Sequence, residues 1–410
     1  MRDLGPRQSY KDEYVDVTGT LRKAQRQVEG KRTKTGLRLL RALEPDELKL
    51  PERLRFYYLR ALAHLQREDA GRALPDLDRA AALAAQLHNG DLAARIANLM
   101  GWAHYQQNRP AMALEYHHAA LRAVQEQTIE DPAFSAVVYS NLGSDYWLLG
   151  DYAQAREAYR EAARRLPPEA EADQVAAIQW GLALSYFNAG QAEPARAHAL
   201  RAIEVCEQSA TGSRLARLRV NYAAILLKLG NADEAERQLR RTLDETGEDV
   251  EVQIATHQAL AEVALERGDP QAGDGEMQQA LELARGTKDP TLMAEVLNRT
   301  AALAEKSGDS DQARYAYTQA ITLLTGTPEH ELLSRVLFAY AGFTLRKGCP
   351  TEAAGAYEEA YRSARPVGVR EPVGYTPPVV AAFTRTPATN LERRRTRTGT
   401  PRPALNGVAH

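Results

Sequence analysis

The sequence is short of most features that mark an enzyme, a membrane protein or a disulfide scaffold. Only two of 410 residues are cysteine. Cys206 and Cys349 lie far apart and outside any Cys-x-x-Cys spacing, which points to a reducing compartment and against a disulfide framework. Aromatic residues make up 7% of the chain, and β-branched residues are sparse beside alanine and leucine. A parallel sheet, whose strands read as valine- and isoleucine-rich runs, is excluded. No stretch approaches the ~18 apolar residues of a membrane span. The start, Met1 to Tyr10, lacks the apolar core of a signal peptide, so the expected location is cytoplasmic. An excess of either charge is lacking too: 52 basic and 54 acidic residues leave a net charge of −2. No global field draws the chain to nucleic acid or to an anionic membrane.

Motifs that carry chemistry are also missing. There is no phosphate-cradling glycine loop and no Gly-x-Ser-x-Gly elbow. The nearest approach to a zinc-protease His-Glu-x-x-His is His330-Glu331-Leu332-Leu333-Ser334. The nine histidines do not assemble at metal-ligand spacing. The adjacent His117 and His118 leave one helix in different directions and are poorly placed to chelate. Carboxylates sit beside arginines at helical spacing, as in Arg156, Glu157, Arg160 and Glu161, which is the pattern of a solvated helix surface. The sequence predicts no catalytic residue, no metal and no cofactor.

What it has is repetition. The segment from Asn141, NLGSDYWLLGDYAQAREAYREA, places Gly143, Tyr146, Gly150, Ala155, Tyr159 and Ala162 where two helices must approach, turn and interlock. Small residues at 143 and 155 allow close helix contact, Gly150 suits a left-handed turn, and the tyrosines fill the gap. The same register recurs at Ala73, Ala113, Ala155, Ala195, Ala235, Gly273, Ala313 and Ala353, spaced by 40, 42, 40, 40, 38, 40 and 40 residues. Their partners on the preceding helix are Ala61, Gly101, Gly143, Ala183, Ala223, Ala261, Ala301 and Ala341. A weaker first unit fits around Ala24, Gly36 and Leu40. A fixed period of this kind means stacked helix pairs, each burying its apolar face only against its neighbours.

These residues resemble the consensus of the tetratricopeptide repeat (TPR). The common unit has about 34 residues, and the longer period here is similar to that of the bacterial peptide-responsive regulators. The resemblance implies an all-α, right-handed α-solenoid (superhelix) of eight to nine TPR helix pairs. It would occupy residues 17–365, after an extension over 1–16. From Pro366 to the C-terminus seven prolines and seven arginines stand against two glutamates. Such a stretch buries too little apolar area to offset its chain entropy, so residues 366–410 are expected to be a disordered tail. The apolar run Pro378 to Phe383 is the exception and is able to dock.

In TPR proteins the face lined by the first helix of each pair forms a concave groove. The resemblance sends Arg95, Asn98, Trp102, Tyr105, Asn141, Trp147, Trp180 and Phe187 to that face, with Asn221 and Asn298 at equivalent places in later repeats. All three tryptophans fall there. Tryptophan is a favoured hot-spot residue, and an asparagine amide offers the donor and acceptor that a peptide unit requires. The same rings equally suit packing between neighbouring helices, and the sequence does not decide between these roles. His64 and His104 stand at the aromatic packing place filled later by Tyr146 and Tyr186. Basic residues (Arg55, Arg95, Arg217, Lys228, Arg335, Arg346) and acidic ones (Glu262, Glu266, Glu295, Glu305) suggest a groove whose charge changes along its length, matched by an amphipathic partner.

The expected function is therefore a cytoplasmic scaffold or regulator, not an enzyme, that binds a peptide or protein partner. The 16 residues before the array are too few for the helix-turn-helix half of the regulators it resembles, which implies action through a partner or a pure scaffold. The alternative is nucleic-acid binding through Arg393, Arg394, Arg395 and Arg397, which without interleaved aromatics would be weak and salt-sensitive. A membrane partner is not expected, and a homodimer is left open.

Overall fold

The computed structural model describes residues 17–126, 131–208, 212–247 and 249–364. The expected N-terminal extension and C-terminal tail lie outside them. Eighteen α-helices and one short 3-10 turn, Pro45–Glu47, account for the regular structure, with no strand among the described residues. The helices alternate as A and B members of successive pairs. They are α1 (Val17–Glu29) with α2 (Thr33–Leu40), α3 (Leu50–Leu65) with α4 (Ala70–Gln86), and α5 (Gly90–Gln106) with α6 (Pro110–Gln125). Next come α7 (Pro132–Leu148) with α8 (Tyr152–Arg165), α9 (Ala172–Asn188) with α10 (Ala192–Gln208), and α11 (Gly212–Lys228) with α12 (Ala232–Thr246). The series ends with α13 (Val250–Glu266) and α14 (Pro270–Thr287), α15 (Pro290–Ser307) and α16 (Ser310–Leu324), and α17 (His330–Arg346) and α18 (Pro350–Ala364). The weak first unit is real: α1 packs on α2 through Ala24 and Val28, and a Cβ on Gly36 would lie 2.5 Å from a Val28 methyl.

The small residues do what their period requires. From α3 onward those of both helices are buried, with Ala61, Ala73, Ala113, Ala183, Ala195 and Ala301 wholly out of solvent. In two repeats the A-helix residue must be glycine, because a ring from helix B stands in its place. A Cβ at Gly101 would come within 2.4 Å of the His117 ring, and one at Gly143 within 2.9 Å of Tyr159. The turns between paired helices use the left-handed region: φ is 79° at Gly150, 75° at Gly190 and 77° at Gly348. Earlier repeats lack that glycine, yet Glu68 (φ 58°) and Asn108 (φ 56°) adopt the same conformation. Each pays a steric penalty of about 1–2 kcal/mol, more easily met by asparagine than by glutamate. Helix starts are fixed by acceptors that satisfy otherwise orphaned N–H groups. The side chains of Asp69, Asn89, Asp131, Asp151, Asp249, Asp269, Asp289 and Asp309 all do so.

The helices form two compact units that divide at Pro167–Pro168. Unit 1 holds α1 to α8 and unit 2 holds α9 to α18. The even period of small residues gives no sign of this division. The local cause is the proline pair, which cannot continue α8 and holds the preceding Leu166 extended, with ψ at 126°.

Candidate functional site

Within each unit the A helices lie side by side, and the residues that line them tie one repeat to the next. In unit 1 the ties are mostly neutral. Asn141 Nδ2 on α7 donates to Asn98 Oδ1 on α5 at 3.0 Å, and Gln106 Nε2 donates to the Leu65 carbonyl of α3 at 2.8 Å. Arg95 is the charged member: it reaches Asp91 on its own helix and Asp131 at the start of α7, 2.8 Å away. Partial burial works against ionisation of Asp131, but the hydrogen bonds from Arg95 and the Phe134 N–H hold its carboxyl below the usual range.

In unit 2 the corresponding ties are ion pairs. Asp173 on α9 meets Arg214 on α11, Glu262 on α13 meets Arg299 on α15, and Glu295 and Glu305 on α15 meet Arg335 and Arg346 on α17. This corrects the expected gradient of groove charge. Arg95, Arg335 and Arg346 are held by carboxylates of the same or the neighbouring A helix, so these charges close repeat interfaces from within. A signal existed in the sequence: the partners on neighbouring A helices are of opposite charge and stand 36 to 41 residues apart, close to one repeat.

The sequence-predicted residues divide by burial. Trp102, Tyr105, Asn141, Phe187 and Asn298 are half-buried, whereas Asn98, Trp147, Trp180 and Asn221 are buried, with Trp180 only 3% exposed. Trp102 packs on the apolar cluster of α3, α4 and α5, and Phe187 on that of α9 to α12. Burial drives the Tyr105 phenol well above its ordinary pKa, so it stays a neutral donor. Unit 1 thus brings Arg95, Asn98, Trp102, Tyr105, Asn141 and Trp147 onto two adjacent A helices. Asn221 and Asn298, on α11 and α15, are kept apart by α13.

The two helix-packing histidines behave as expected. His104 stacks on Tyr116 at 5.3 Å, and burial lowers the pKa of both His64 and His104. His117 and His118 do point apart, to Asp145 Oδ2 at 2.5 Å and to the Tyr146 hydroxyl at 3.0 Å. The His117–Asp145 contact, both groups almost wholly buried, is not visible in the sequence because 28 residues and a helix boundary separate them. A second buried group is Arg219 on α11, 1% exposed, which is gripped by Glu207 of α10 and Glu245 of α12. No group of three histidine, cysteine or acidic side chains among the described residues is placed to hold a metal ion. No described helix is long and apolar enough to cross a membrane.

Two stretches, residues 136–168 and 174–244, match models of the tetratricopeptide repeat. The chain carries tetratricopeptide repeats. The fold is an all-α TPR solenoid, and solved structures share it. The apo form of RapI is 14% identical with a TM-score of 0.60, over 86% of this chain and 98% of that one. The apo form of the quorum sensor NprR from B. thuringiensis is 16% identical with a TM-score of 0.60, over 85% and 98%. NprR in complex with its cognate peptide NprX is 15% identical with a TM-score of 0.54, over 87% and 98%. At such identities the likeness is one of fold. Comparison with curated proteins gives no match.

Proposed function

We propose that the TPR chain is a cytoplasmic scaffold or regulator whose A-helix face in unit 1 binds an extended peptide or protein segment. The observation that carries this reading is the Asn98–Asn141 amide pair. One donor–acceptor bond joins the two side chains. The half-open Asn141 keeps its Oδ1 and a second N–H, which match the C=O and N–H of a peptide unit. Around it Trp102 and Tyr105 supply partly open aromatic surface, and Arg95 a cation already held in place. The buried Trp147, and in unit 2 Trp180 and Asn221, act as packing behind the A-helix face. Phe187 and Asn298 belong to the equivalent face of unit 2. The fold likeness to NprR, which was solved with its cognate peptide, supports a peptide as the ligand class. The alternative, nucleic-acid binding through Arg393 to Arg397, rests on residues outside those described and gains no support.

The test is Asn141→Ala, measured by retention of a pool of immobilised unstructured decapeptides, with Glu157→Ala on exposed α8 surface as control. Loss of paired hydrogen bonds should weaken binding by about 1–3 kcal/mol, with a modest fall in melting temperature because the buried Asn98 Oδ1 loses its donor. Because the contact is between neutral amides, binding should change little between low and high salt. A drop of several degrees in melting temperature with unchanged retention would make the amide structural and end the assignment.

A further inference from the structure

The net charge of −2 conceals a local excess of cations in the first repeat. From Val17 to Arg41, through α1, its turn and α2, eight residues are basic and only Glu29 is acidic, a balance of +7. Carried on to Lys49 the balance is still +5, and Asp46 in that stretch is met by Arg53 of α3. Later in unit 1 surface arginines are quenched by carboxylates one turn away, as Arg160, Arg164 and Arg165 are by Glu157 and Glu161. In the first repeat they are not. Arg22, Lys23, Arg26, Arg32, Arg38 and Arg41 are all exposed, and none makes an ion pair among the described residues. Helical period sets Arg22, Lys23 and Arg26 opposite the buried Leu21, Ala24 and Val28 of α1, and Arg38 and Arg41 opposite the buried Gly36 and Leu40 of α2. The one acid is occupied: Glu29 accepts from Gln25 Nε2 at 2.6 Å. Gln25 Oε1 accepts from Arg55 of α3 at 2.5 Å, which holds a further exposed cation beside α1.

We propose that this cationic repeat docks on the phosphate backbone of double-stranded DNA. Three features select that occupant over other anions. A protein partner is held by apolar or aromatic anchors at the centre of its interface, and α1 and α2 expose no large apolar side chain. The same lack removes the wedge by which an amphipathic helix enters lipid. No aromatic residue occurs between Val17 and Lys49, so there is no platform for the stacked bases of a single strand. What is left is charge, and five of the six cations are arginines, whose planar fork suits phosphate. At its 13 residues α1 is ~20 Å long, a length over which a duplex presents about twelve charges. Contacts of this kind position a protein without reading sequence. The surface stands on α1 and α2 and is independent of the peptide reading, which stands on α5 and α7.

The experiment uses the full chain and a short fluorescent DNA duplex, with binding followed by anisotropy. If about four phosphates are neutralised, affinity should fall roughly 150-fold between ~50 and ~200 mM salt. Combining Arg22→Glu, Arg26→Glu and Arg38→Glu should weaken low-salt binding by about tenfold or more and flatten the salt slope by about 2–3. Arg22→Lys, Arg26→Lys and Arg38→Lys together, which keep the charge, should stay within about threefold of the parent chain. So should Arg201→Glu, Arg237→Glu and Arg362→Glu, a set with the same net charge as the first, because charges beyond a Debye length of ~10 Å are screened. The chain carrying Arg393→Gln, Arg394→Gln, Arg395→Gln and Arg397→Gln should also still bind. Absence of low-salt binding would overturn the proposal. Equal weakening by the two reversed sets would reduce the effect to net charge, and loss of binding in the 393–397 variant would move the site there. A single strand held as tightly as the duplex, or phosphatidylserine vesicles held more tightly, would give the surface to another anion, and each of these results is equally fatal to it.

Discussion

Units 1 and 2 are built on one repeat and held together by different chemistry. Between the A helices of unit 1 stand an amide pair, an amide-to-carbonyl bond, partly open aromatic rings and a single ion pair, Arg95 with Asp131. Between those of unit 2 stand four ion pairs. The difference teaches where a ligand gains most. A face whose charges already satisfy one another offers a partner little net electrostatic energy, since any new pair must displace an old one. A face of half-open amides and aromatics offers unspent hydrogen-bonding capacity and rigid contact area.

The sharpest way to break the comparison lies in the buried charges, where the units differ in what a deletion leaves behind. His117→Ala in unit 1 strands the Asp145 carboxylate, which has no exposure and no other charged partner. Breaking such a pair costs about 3–5 kcal/mol, and burial already pushes the Asp145 carboxyl above the usual range despite the His117 contact. Arg219→Ala in unit 2 leaves Glu207 and Glu245, which are 38% and 46% exposed and can return to water. Its cost should be smaller, about 1–3 kcal/mol, mainly lost hydrogen bonds and packing. Chemical denaturation followed by site-resolved exchange would order the two, and a larger loss at Arg219 would contradict the solvation argument.

Acid should separate the units next. Burial lowers the pKa of His64, His104 and His118, all in unit 1. A histidine whose folded pKa lies below its unfolded value of about 6.5 binds fewer protons when folded. Its stabilisation is complete above that pH and is lost as pH falls through the lowered folded values. Between pH 7 and 5, exchange corrected for intrinsic rate should therefore rise first in α3 to α6. Equal loosening in α13 and α14 would count against this.

How much of this was legible in the sequence follows from what each feature depends on. The stacking of the A and B helices depends on single small residues such as Gly143 and Ala155, each needed wherever two backbones approach, so the period of the fold was readable outright. Left-handed turns were readable where glycine supplied them and hidden at Glu68 and Asn108, where tertiary packing overrides local preference. The candidate face was readable as a list of residues facing one way. Its state was not, because whether Trp180 is open or buried, or whether Arg346 is free or held by Glu305, depends on the neighbouring repeat. Likewise the division after Pro167 leaves the spacing of small residues untouched.

The smallest expected effects lie in unit 2 and come from the backbone rather than from contacts. Helices α14 and α18 carry Gly275 and Gly355 in their interiors. Both are exposed, both have ordinary helical φ, and a Cβ built on either would meet nothing within 4 Å. Such a glycine costs a helix roughly 0.5–1 kcal/mol relative to alanine, through the greater freedom it restores to the unfolded chain. Gly275→Ala and Gly355→Ala should each raise unit 2 stability by about that amount, additively, because they lie in repeats that share no side-chain partner. Gly273, one turn-neighbour away, is the internal control. Its Cβ would lie 3.3 Å from the Ala261 carbonyl, so the same helix, given the same substitution two residues earlier, should gain less or lose. If Gly273→Ala stabilises as much as Gly275→Ala, the close approach of α13 and α14 does not require a glycine there.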